Sequence, residues 1–200
     1  WLARELGCDV TGLTISPVQA RMSNEKARAE GLDSRVRFEV ADANDLRPAA
    51  GACDVGWVVE CSEHLTDKAR FVEACARALR PGGTLALCAW LVADGPLSSE
   101  QTRLVESVCR GMLCPGLAKM SDYAGWMRAA GFGRIESEDV TSRVTETWAR
   151  CAAIASRPEV RAIAAASGER VREFLGAFPA IRRAYALGAM AYGMFAAIKD

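Results

Sequence analysis

The stretch Asp9-Val-Thr-Gly-Leu-Thr-Ile-Ser-Pro-Val-Gln19 decides the fold class of this chain. Its first half is short and apolar and follows Gly7, which is typical of a buried strand. Ser16 and Pro17 then begin a helix, because Ser is a preferred N-cap and Pro is favoured at the first helical position. A strand that turns directly into a helix is the repeating step of an α/β fold.

The same step recurs along the first 90 residues. Apolar patterns predict strands at 8–14, 36–40, 53–59 and 84–90, with helices at 16–30 and 66–79. Pro81-Gly-Gly83 is predicted to be the turn into the last of these strands. Successive crossovers of this kind predict a doubly wound, mostly parallel, Rossmann-like sheet with helices on both faces.

Beyond residue 90 the pattern becomes largely helical. It predicts helices at 98–113 and 121–130, a strand at 134–140, a helical segment at 144–187 and a last strand at 192–199. Within the helical segment, breaks are predicted at Pro158, Gly168 and 176–179. We therefore expect three parts, namely a core at 1–90, a mostly helical, substrate-selecting cover at 91–190 that includes one core strand, and the final strand at 191–200.

Composition excludes several functional classes. Lys plus Arg and Asp plus Glu are equal at 25 each, and Arg residues are scattered, so no basic surface for nucleic acid is expected. The apolar runs are shorter than the roughly 20 residues that span a bilayer. The eight cysteines form no Cys-x-x-Cys pair, which disfavours a metal site. Most lie in apolar patterns, so we expect reduced, buried thiols and a cytoplasmic protein.

Functional side chains are expected directly after each strand, because ligands bind at the carboxyl ends of parallel strands. Thr14, Ser16 and Gln19 follow the first strand and offer hydroxyl and amide groups to a ribose. Asp42 follows the second strand and can accept a hydrogen bond from an adenine amine, with the Ala43 backbone at the ring edge. The alternative is that these residues merely begin a helix and a turn.

The segment Glu60-Cys-Ser-Glu-His64 follows the most apolar strand. Two carboxylates and the only histidine within five residues are hard to ascribe to core packing, although a surface loop with incidental charges is the alternative. His64 is the best candidate for a base, because histidine titrates closest to neutral pH. Glu63 is the second candidate. Cys61 is more consistent with a cleft wall than with a nucleophile, since no partner that would form a thiolate is visible.

Together these motifs resemble the gamma-tocopherol methyltransferase family of class I S-adenosylmethionine-dependent methyltransferases. The stretches that carry the resemblance are 12–20, 40–43, 60–68 and 81–90, and 121–123 and Trp148 match the family's lid region. The resemblance extends over essentially the full length of the chain. Two of the motifs, 14–19 and Glu63-His64, are shared with the similar cyclopropane fatty-acid synthases.

The resemblance implies methyl transfer from S-adenosylmethionine to a carbon, oxygen or nitrogen atom of a small hydrophobic molecule, with S-adenosylhomocysteine as product. The acceptor would be an isoprenoid, an aromatic or a natural-product intermediate, and the oligomeric state is left open. The implied cofactor contacts are Leu13, Thr14, Ile15, Gln19, Asp42, Ala43, Glu60 and Cys61. The implied substrate contacts are Trp90, Tyr123 and Trp148, and the implied catalytic residues are His64 and Glu63.

The family's Gly-x-Gly-x-Gly loop is not found in these 200 residues, which open inside a helical pattern at Trp1. We therefore expect the first strand and the glycine-rich loop to precede Trp1. Without them, the strands that begin at Cys8 and Cys53 should each have an unpaired apolar edge.

Two other function classes stay open. One is a protein with the methyltransferase fold that binds the cofactor but assists cyclisation or binding without methyl transfer. The other is a nicotinamide-dependent oxidoreductase, which would be expected to carry an acidic ribose ligand at Thr14.

Overall fold

The computed structural model describes residues 1–46 and 49–200. The chain divides into two compact units, Trp1–Arg47 and Pro48–Asp200, called here the first and the second unit. Alternating strands and helices in both units confirm the predicted α/β class.

The first unit is one strand–helix–strand step. It contains α1 (Leu2–Leu6), β1 (Val10–Thr14), α2 (Pro17–Ala29), β2 (Val36–Val40) and a 3₁₀ turn (Ala43–Asp45). The two strands are parallel, with Thr14 opposite Val40. Asn24 fixes α2 to β2, because its side chain accepts from the Phe38 N–H at 2.8 Å and donates to the Phe38 carbonyl at 2.9 Å. The carboxyl ends of β1 and β2 therefore lie side by side.

The second unit is built on a mixed sheet. Its elements are β3 (Cys53–Val59), a 3₁₀ turn (Ser62–His64), α3 (Lys68–Ala78), β4 (Leu79–Val92), α4 (Ser99–Gly111), α5 (Met120–Ala129), β5 (Phe132–Asp139), α6 (Thr141–Ala155), α7 (Pro158–Ala166), α8 (Glu169–Ala186) and β6 (Met190–Lys199). The strand order is β3-β4-β6-β5. β3 and β4 are parallel, whereas β6 runs antiparallel to both β4 and β5.

The predicted Pro-Gly-Gly turn is wrong. Strand β4 already begins at Leu79, which is opposite Cys53, and the next paired residues are Val55 and Thr84. The residues between Leu79 and Thr84 therefore form a bulge within the strand, which accommodates extra residues that cannot pair. The Arg80 side chain holds this bulge against β3 by donating to the Asp54 carboxylate at 2.6 Å.

The predicted break at 176–179 is also wrong, because α8 continues through Pro179. A proline inside a helix removes one backbone hydrogen bond. Here the flanking residues Ala177 and Ile181 are buried in the helical core, so tertiary packing outweighs that loss. The other two breaks are confirmed, since α7 begins at Pro158 and Gly168 lies before α8 with a φ of 90°.

The two faces of the second unit's sheet differ in how they are covered. One face carries Leu85, Leu87 and Phe195, which are buried. The opposite face is open along much of its length, and Trp57 is 60% exposed there. Near the carboxyl end of β4 this second face is covered again, because Trp90 packs against Trp148 of α6. Helices on both faces, as predicted, are thus found only at that end.

The strand edges expected to be unpaired are unpaired within the described residues. β1 pairs only with β2 there, and β3 is the edge strand of its sheet. Val55, Trp57 and Val59 of β3 are exposed apolar residues. A strand and a glycine-rich loop before Trp1 stay a prediction.

All eight cysteines are free. Cys75 and Cys114 are buried, but Cys8 and Cys53 are exposed, so the expectation of mostly buried thiols is wrong. The two exposed cysteines lie just before β1 and at the start of β3. Of the helices in residues 1–46 and 49–200, none has the length and apolar character required to cross a membrane.

Candidate functional site

A chain of hydrogen bonds orders the side chains after β1. The Ser16 N–H donates to Thr14 Oγ1 at 3.2 Å, and the Thr14 hydroxyl donates to Gln19 Oε1 at 2.7 Å. Ser16 also caps α2 by accepting from the Gln19 N–H. The predicted helix-start role of Ser16 is therefore present, but it does not account for the Gln19 side chain. No described residue accepts from Gln19 Nε2, which leaves its two hydrogens available to a ligand.

Asp42 lies beside this network at the end of β2, where the Ala41 N–H donates to the Thr14 carbonyl at 3.0 Å. Its Oδ1 accepts from the Asn44 N–H at 2.8 Å and from Asn44 Nδ2 at 3.0 Å, so Asp42 caps the 3₁₀ turn that begins at Ala43. The turn role is therefore present here too. Oδ2 makes no hydrogen bond within the described part of the chain and can accept one from a ligand.

Apolar side chains accompany these polar groups. Leu13 is 44% exposed and Ile15 is 72% exposed. An exposed apolar surface beside a few oriented donors and acceptors is the usual composition of a small-molecule site. The structure thus brings all six residues proposed in the first unit to one edge of its sheet, namely Leu13, Thr14, Ile15, Gln19, Asp42 and Ala43.

Glu60 is the first residue of the candidate site in the second unit, and its backbone conformation is strained. Its φ is 49°, in the left-handed region that non-glycine residues rarely adopt. The Glu60 N–H donates to the Cys88 carbonyl at 3.0 Å, and the Tyr192 hydroxyl donates to Glu60 Oε1 at 2.9 Å. Burial, and then this hydrogen bond, raises the pKa of Tyr192. Strain that is held by two such contacts is typical of functional positions.

Glu63 lies below the accessible surface and is fully buried. Its Oε1 accepts from the Trp90 N–H at 3.4 Å, and its Oε2 has no partner among the residues described. Burial is the main cause that raises the pKa of Glu63 to about 7, and the negative charge of Glu60 acts in the same direction. The structure therefore does not bring Glu63 into direct reach of a ligand, although its proton equilibrium falls near neutral pH.

His64 is exposed and is held on two sides. Its Nδ1 lies 3.6 Å from Cys114 Sγ, and its ring meets Trp90 edge-on at 6.4 Å between centroids. Cys61 is half-buried, and burial followed by the charge of Glu63 raises its thiol pKa. A neutral thiol is a weak nucleophile, which agrees with a wall position for Cys61.

An aromatic cluster lies next to His64. Trp90 and Trp148 are in T-shaped contact at 5.1 Å, and Trp148 stacks on Tyr185 at 6.4 Å. Trp90 Nε1 is buried without an acceptor in the described residues. The two tryptophans named from the sequence are therefore brought together, with Trp90 against His64, but both are buried in the core of this unit.

Tyr123 is not part of this cluster. It is fully buried beneath the opposite face of the sheet, in contact with Phe195. Its hydroxyl lies 2.6 Å from Ser62 Oγ, which anchors the 3₁₀ turn that carries His64. The structure thus gives Tyr123 a supporting contact in place of the predicted contact with substrate.

The sequence analysis did not identify Cys114 and Tyr192. Cys114 is 50 residues from His64 along the chain, and Tyr192 is 132 residues from Glu60. Their local sequences read as an ordinary loop and an ordinary apolar strand. No local pattern could have revealed them, because both contacts are created by tertiary packing.

Part of the chain is similar in sequence to known proteins. The family described as "Methyltransferase domain" matches residues 1–87. Tocopherol O-methyltransferase, chloroplastic, from Arabidopsis thaliana is 40% identical over 65 residues, which is 32% of this chain and 19% of that protein. The chain spans about a fifth of the length of the curated relatives it matches.

Solved structures share the fold over almost the whole chain. A geranyl diphosphate methyltransferase in complex with SAM is 22% identical, covers 99% of this chain and 71% of its own, and has a TM-score of 0.79. The [4+2]-cyclase SpnF is 25% identical, with coverages of 99% and 69% and a TM-score of 0.80. Residues 1–87 therefore match the methyltransferase domain family, and the chain has the expected fold of class I S-adenosylmethionine-dependent methyltransferases.

Proposed function

We propose that this chain forms most of an S-adenosylmethionine-dependent methyltransferase that acts on a small hydrophobic molecule. The observation that supports this best is the set of hydrogen-bonded side chains of Thr14, Gln19 and Asp42 at the carboxyl ends of β1 and β2. These residues lie within the stretch that matches the methyltransferase domain. Residues 1–90 would hold the cofactor, residues 91–190 would select the acceptor, and the final strand at 191–200 would complete the sheet. The eight free thiols support a reducing compartment, the cytoplasm.

The first unit fits the adenosine part of the cofactor. Gln19 Nε2 provides donors and Asp42 Oδ2 provides an acceptor, so both kinds of polar group on a nucleoside can be matched. Leu13 and Ile15 provide apolar surface for the base. When bound, S-adenosylmethionine supplies an electrophilic methyl group.

The second unit supports an apolar acceptor. Trp90, Trp148 and Tyr185 form an aromatic wall that is buried in this structure, and His64 is the exposed titratable group beside Trp90. Glu60 and Cys61, at the end of β3, complete the proposed cofactor contacts. If the acceptor atom is a hydroxyl or a carbon next to a phenol, His64 takes the proton that the acceptor must lose. An amine that is already unprotonated needs no such base.

Binding and transfer can be tested separately on the full-length protein. S-adenosylhomocysteine at about 100 times its Kd should stabilise the fold by about 2.7 kcal/mol. Incubation with isotopically methyl-labelled S-adenosylmethionine and a panel of phenols, prenyl compounds and amines should then yield a product heavier by one labelled CH₂ group. The absence of any stabilisation by S-adenosylhomocysteine would exclude this function.

The second candidate function is assistance of a cyclisation, which is supported by the structural similarity to the [4+2]-cyclase SpnF. In that case the same aromatic wall would bind a folded polyunsaturated substrate, and the cofactor would have a structural role. Binding of S-adenosylhomocysteine without transfer of label, together with a product of unchanged mass, would identify this activity.

A further inference from the structure

Cys114 makes two side-chain contacts that together constrain its single thiol hydrogen. Its Sγ lies 3.7 Å from the Met112 carbonyl oxygen and 3.6 Å from His64 Nδ1. The Cys114 N–H donates to the Cys109 carbonyl at 2.8 Å, which fixes the Cys114 main chain from which the sulfur extends. The carbonyl can only accept, whereas the imidazole nitrogen can either donate or accept.

The thiol keeps its hydrogen throughout the neutral range. Burial is the main cause that raises the pKa of Cys114 to about 12. The neighbouring Cys109 and Glu63 act in the same direction, and Lys68 acts against them. Cys114 is therefore a neutral S–H group that can donate one hydrogen bond and accept another.

One arrangement satisfies both contacts at once. The S–H donates to the Met112 carbonyl, and the sulfur accepts from a hydrogen on His64 Nδ1. In the opposite arrangement the S–H donates to Nδ1, and the Met112 carbonyl loses this donor. The first arrangement makes two hydrogen bonds where the second makes one, so it is favoured.

We propose that Cys114 is a positioning residue that holds the neutral His64 ring in its Nδ1–H tautomer, which leaves Nε2 as the basic nitrogen. The edge-on contact with Trp90 restricts rotation of the same ring. This inference rests on the proposed function, in which His64 receives a proton. In the other tautomer the basic nitrogen would face the sulfur and could not reach an acceptor molecule.

The tautomer can be measured without catalysis. In full-length protein labelled with ¹⁵N-histidine, the signals that disappear in His64→Gln belong to this residue. At a pH where the ring is neutral, we expect the Nδ1 resonance of the wild type to be that of a protonated nitrogen and Nε2 that of an unprotonated one. Cys114→Ala should shift the ring towards the Nε2–H form, whereas Cys109→Ala, at a half-buried cysteine nearby, should leave it unchanged. A wild-type ring in the Nε2–H form overturns the proposal, and so does a Cys114→Ala ring that keeps the Nδ1–H form.

Activity provides a second readout. Loss of one hydrogen bond should lower kcat in Cys114→Ala by about 2- to 12-fold while KM stays constant. Cys114→Ser should recover part of this loss, because a hydroxyl can also accept from Nδ1 and donate to the carbonyl, and it controls for a folding defect in the alanine variant. Wild-type kcat in a folded Cys114→Ala protein would contradict the positioning role. If no methyl transfer is found at all, the proposed function fails, and the NMR result still decides the tautomer.

Discussion

The two units present their candidate ligand groups in opposite ways. In the first unit the groups come from one strand–helix–strand step, the side chains of Gln19 and Asp42 are exposed, and Thr14 is half-buried. In the second unit they are joined across long separations, 50 residues for His64 and Cys114 and 132 for Glu60 and Tyr192. Several of these groups are buried, and burial shifts their pKa values.

This difference has an energetic consequence. An exposed hydrogen bond competes with water and contributes about 0.5–1.5 kcal/mol. A buried titratable group interacts in a medium of lower dielectric constant, where a change in charge costs more. We therefore expect substitutions in the first unit to have small, graded effects on binding, and substitutions of the titratable groups His64 and Glu63 in the second unit to have large effects on turnover or stability.

His64 should give the largest effect. In His64→Asn the side chain keeps some hydrogen bonding but loses the base, so kcat for a hydroxyl or phenol acceptor should fall by about 10²–10⁴-fold. The affinity for S-adenosylhomocysteine, measured by calorimetry, should stay the same. Full turnover in this variant would exclude base catalysis by His64 and would favour N-methylation or a role without methyl transfer.

Glu63 should make stability depend on pH. Burial raises the pKa of its carboxyl from the usual 4.5 to about 7, so the folded state binds this proton more tightly than the unfolded state does. The corresponding stabilisation is complete below about pH 4.5 and is lost as the pH rises towards 7, with a size of about 3 kcal/mol. Glu63→Gln is permanently uncharged, so its free energy of unfolding relative to wild type should increase across this window.

Denaturant unfolding at a series of pH values between 4.5 and 8 measures this difference. Glu73→Gln is the matched control, because Glu73 is exposed on the neighbouring helix α3. Its difference from wild type should be small and nearly constant with pH. Parallel pH curves for Glu63→Gln and wild type would show that burial does not shift the pKa of Glu63, since the carboxyl would then titrate alike in the folded and unfolded states.

Gln19 should give the smallest effect. Gln19→Ala removes one exposed ribose donor and should weaken S-adenosylhomocysteine binding by about 0.5–1.5 kcal/mol, or roughly 2- to 12-fold in Kd. Lys26→Ala, on an exposed position of the same helix, should leave Kd unchanged. An unchanged Kd in Gln19→Ala would place the ribose elsewhere. A loss of affinity of more than about 100-fold would contradict the contrast between exposed groups in the first unit and buried groups in the second. Such a loss requires that the Gln19 donor becomes deeply buried when the ligand binds.

The sequence predicted the strand ends better than the contacts between them. Ser16 and Pro17 begin α2 as their types require, and the apolar run at 53–59 is β3 with the predicted bounds. Proline was the main source of error in the elements. Pro179 lies inside α8, because packing against distant residues outweighs the local preference there. Pro81 lies among residues 80–83, which have no partner in β3 although pairing is present on either side of them.

The same limit applies to the candidate site. The sequence identified His64 because it is the only histidine and follows an apolar strand, and Trp90 was named through the family resemblance. It could not show that Cys114 contacts His64, or that Tyr123 lies under the opposite face of the sheet. Nor could it show that Glu63, one residue from an exposed histidine, is fully buried. The direction of a side chain after a strand depends on a single turn, and the packing of the whole unit decides that turn.

The left-handed backbone of Glu60 has a consequence for protein engineering. Replacing Glu60 by glycine removes a conformational cost of about 1–3 kcal/mol, but it also leaves the buried Tyr192 hydroxyl without its acceptor, which costs about 1–3 kcal/mol. The same change removes the carboxylate that Tyr192 holds in place. A screen that selects only for heat resistance reports the balance of these two effects, whereas a screen for activity reports whether the carboxylate itself is needed. Sequencing the survivors of both screens would show whether Glu60 is required for activity, for stability or for both.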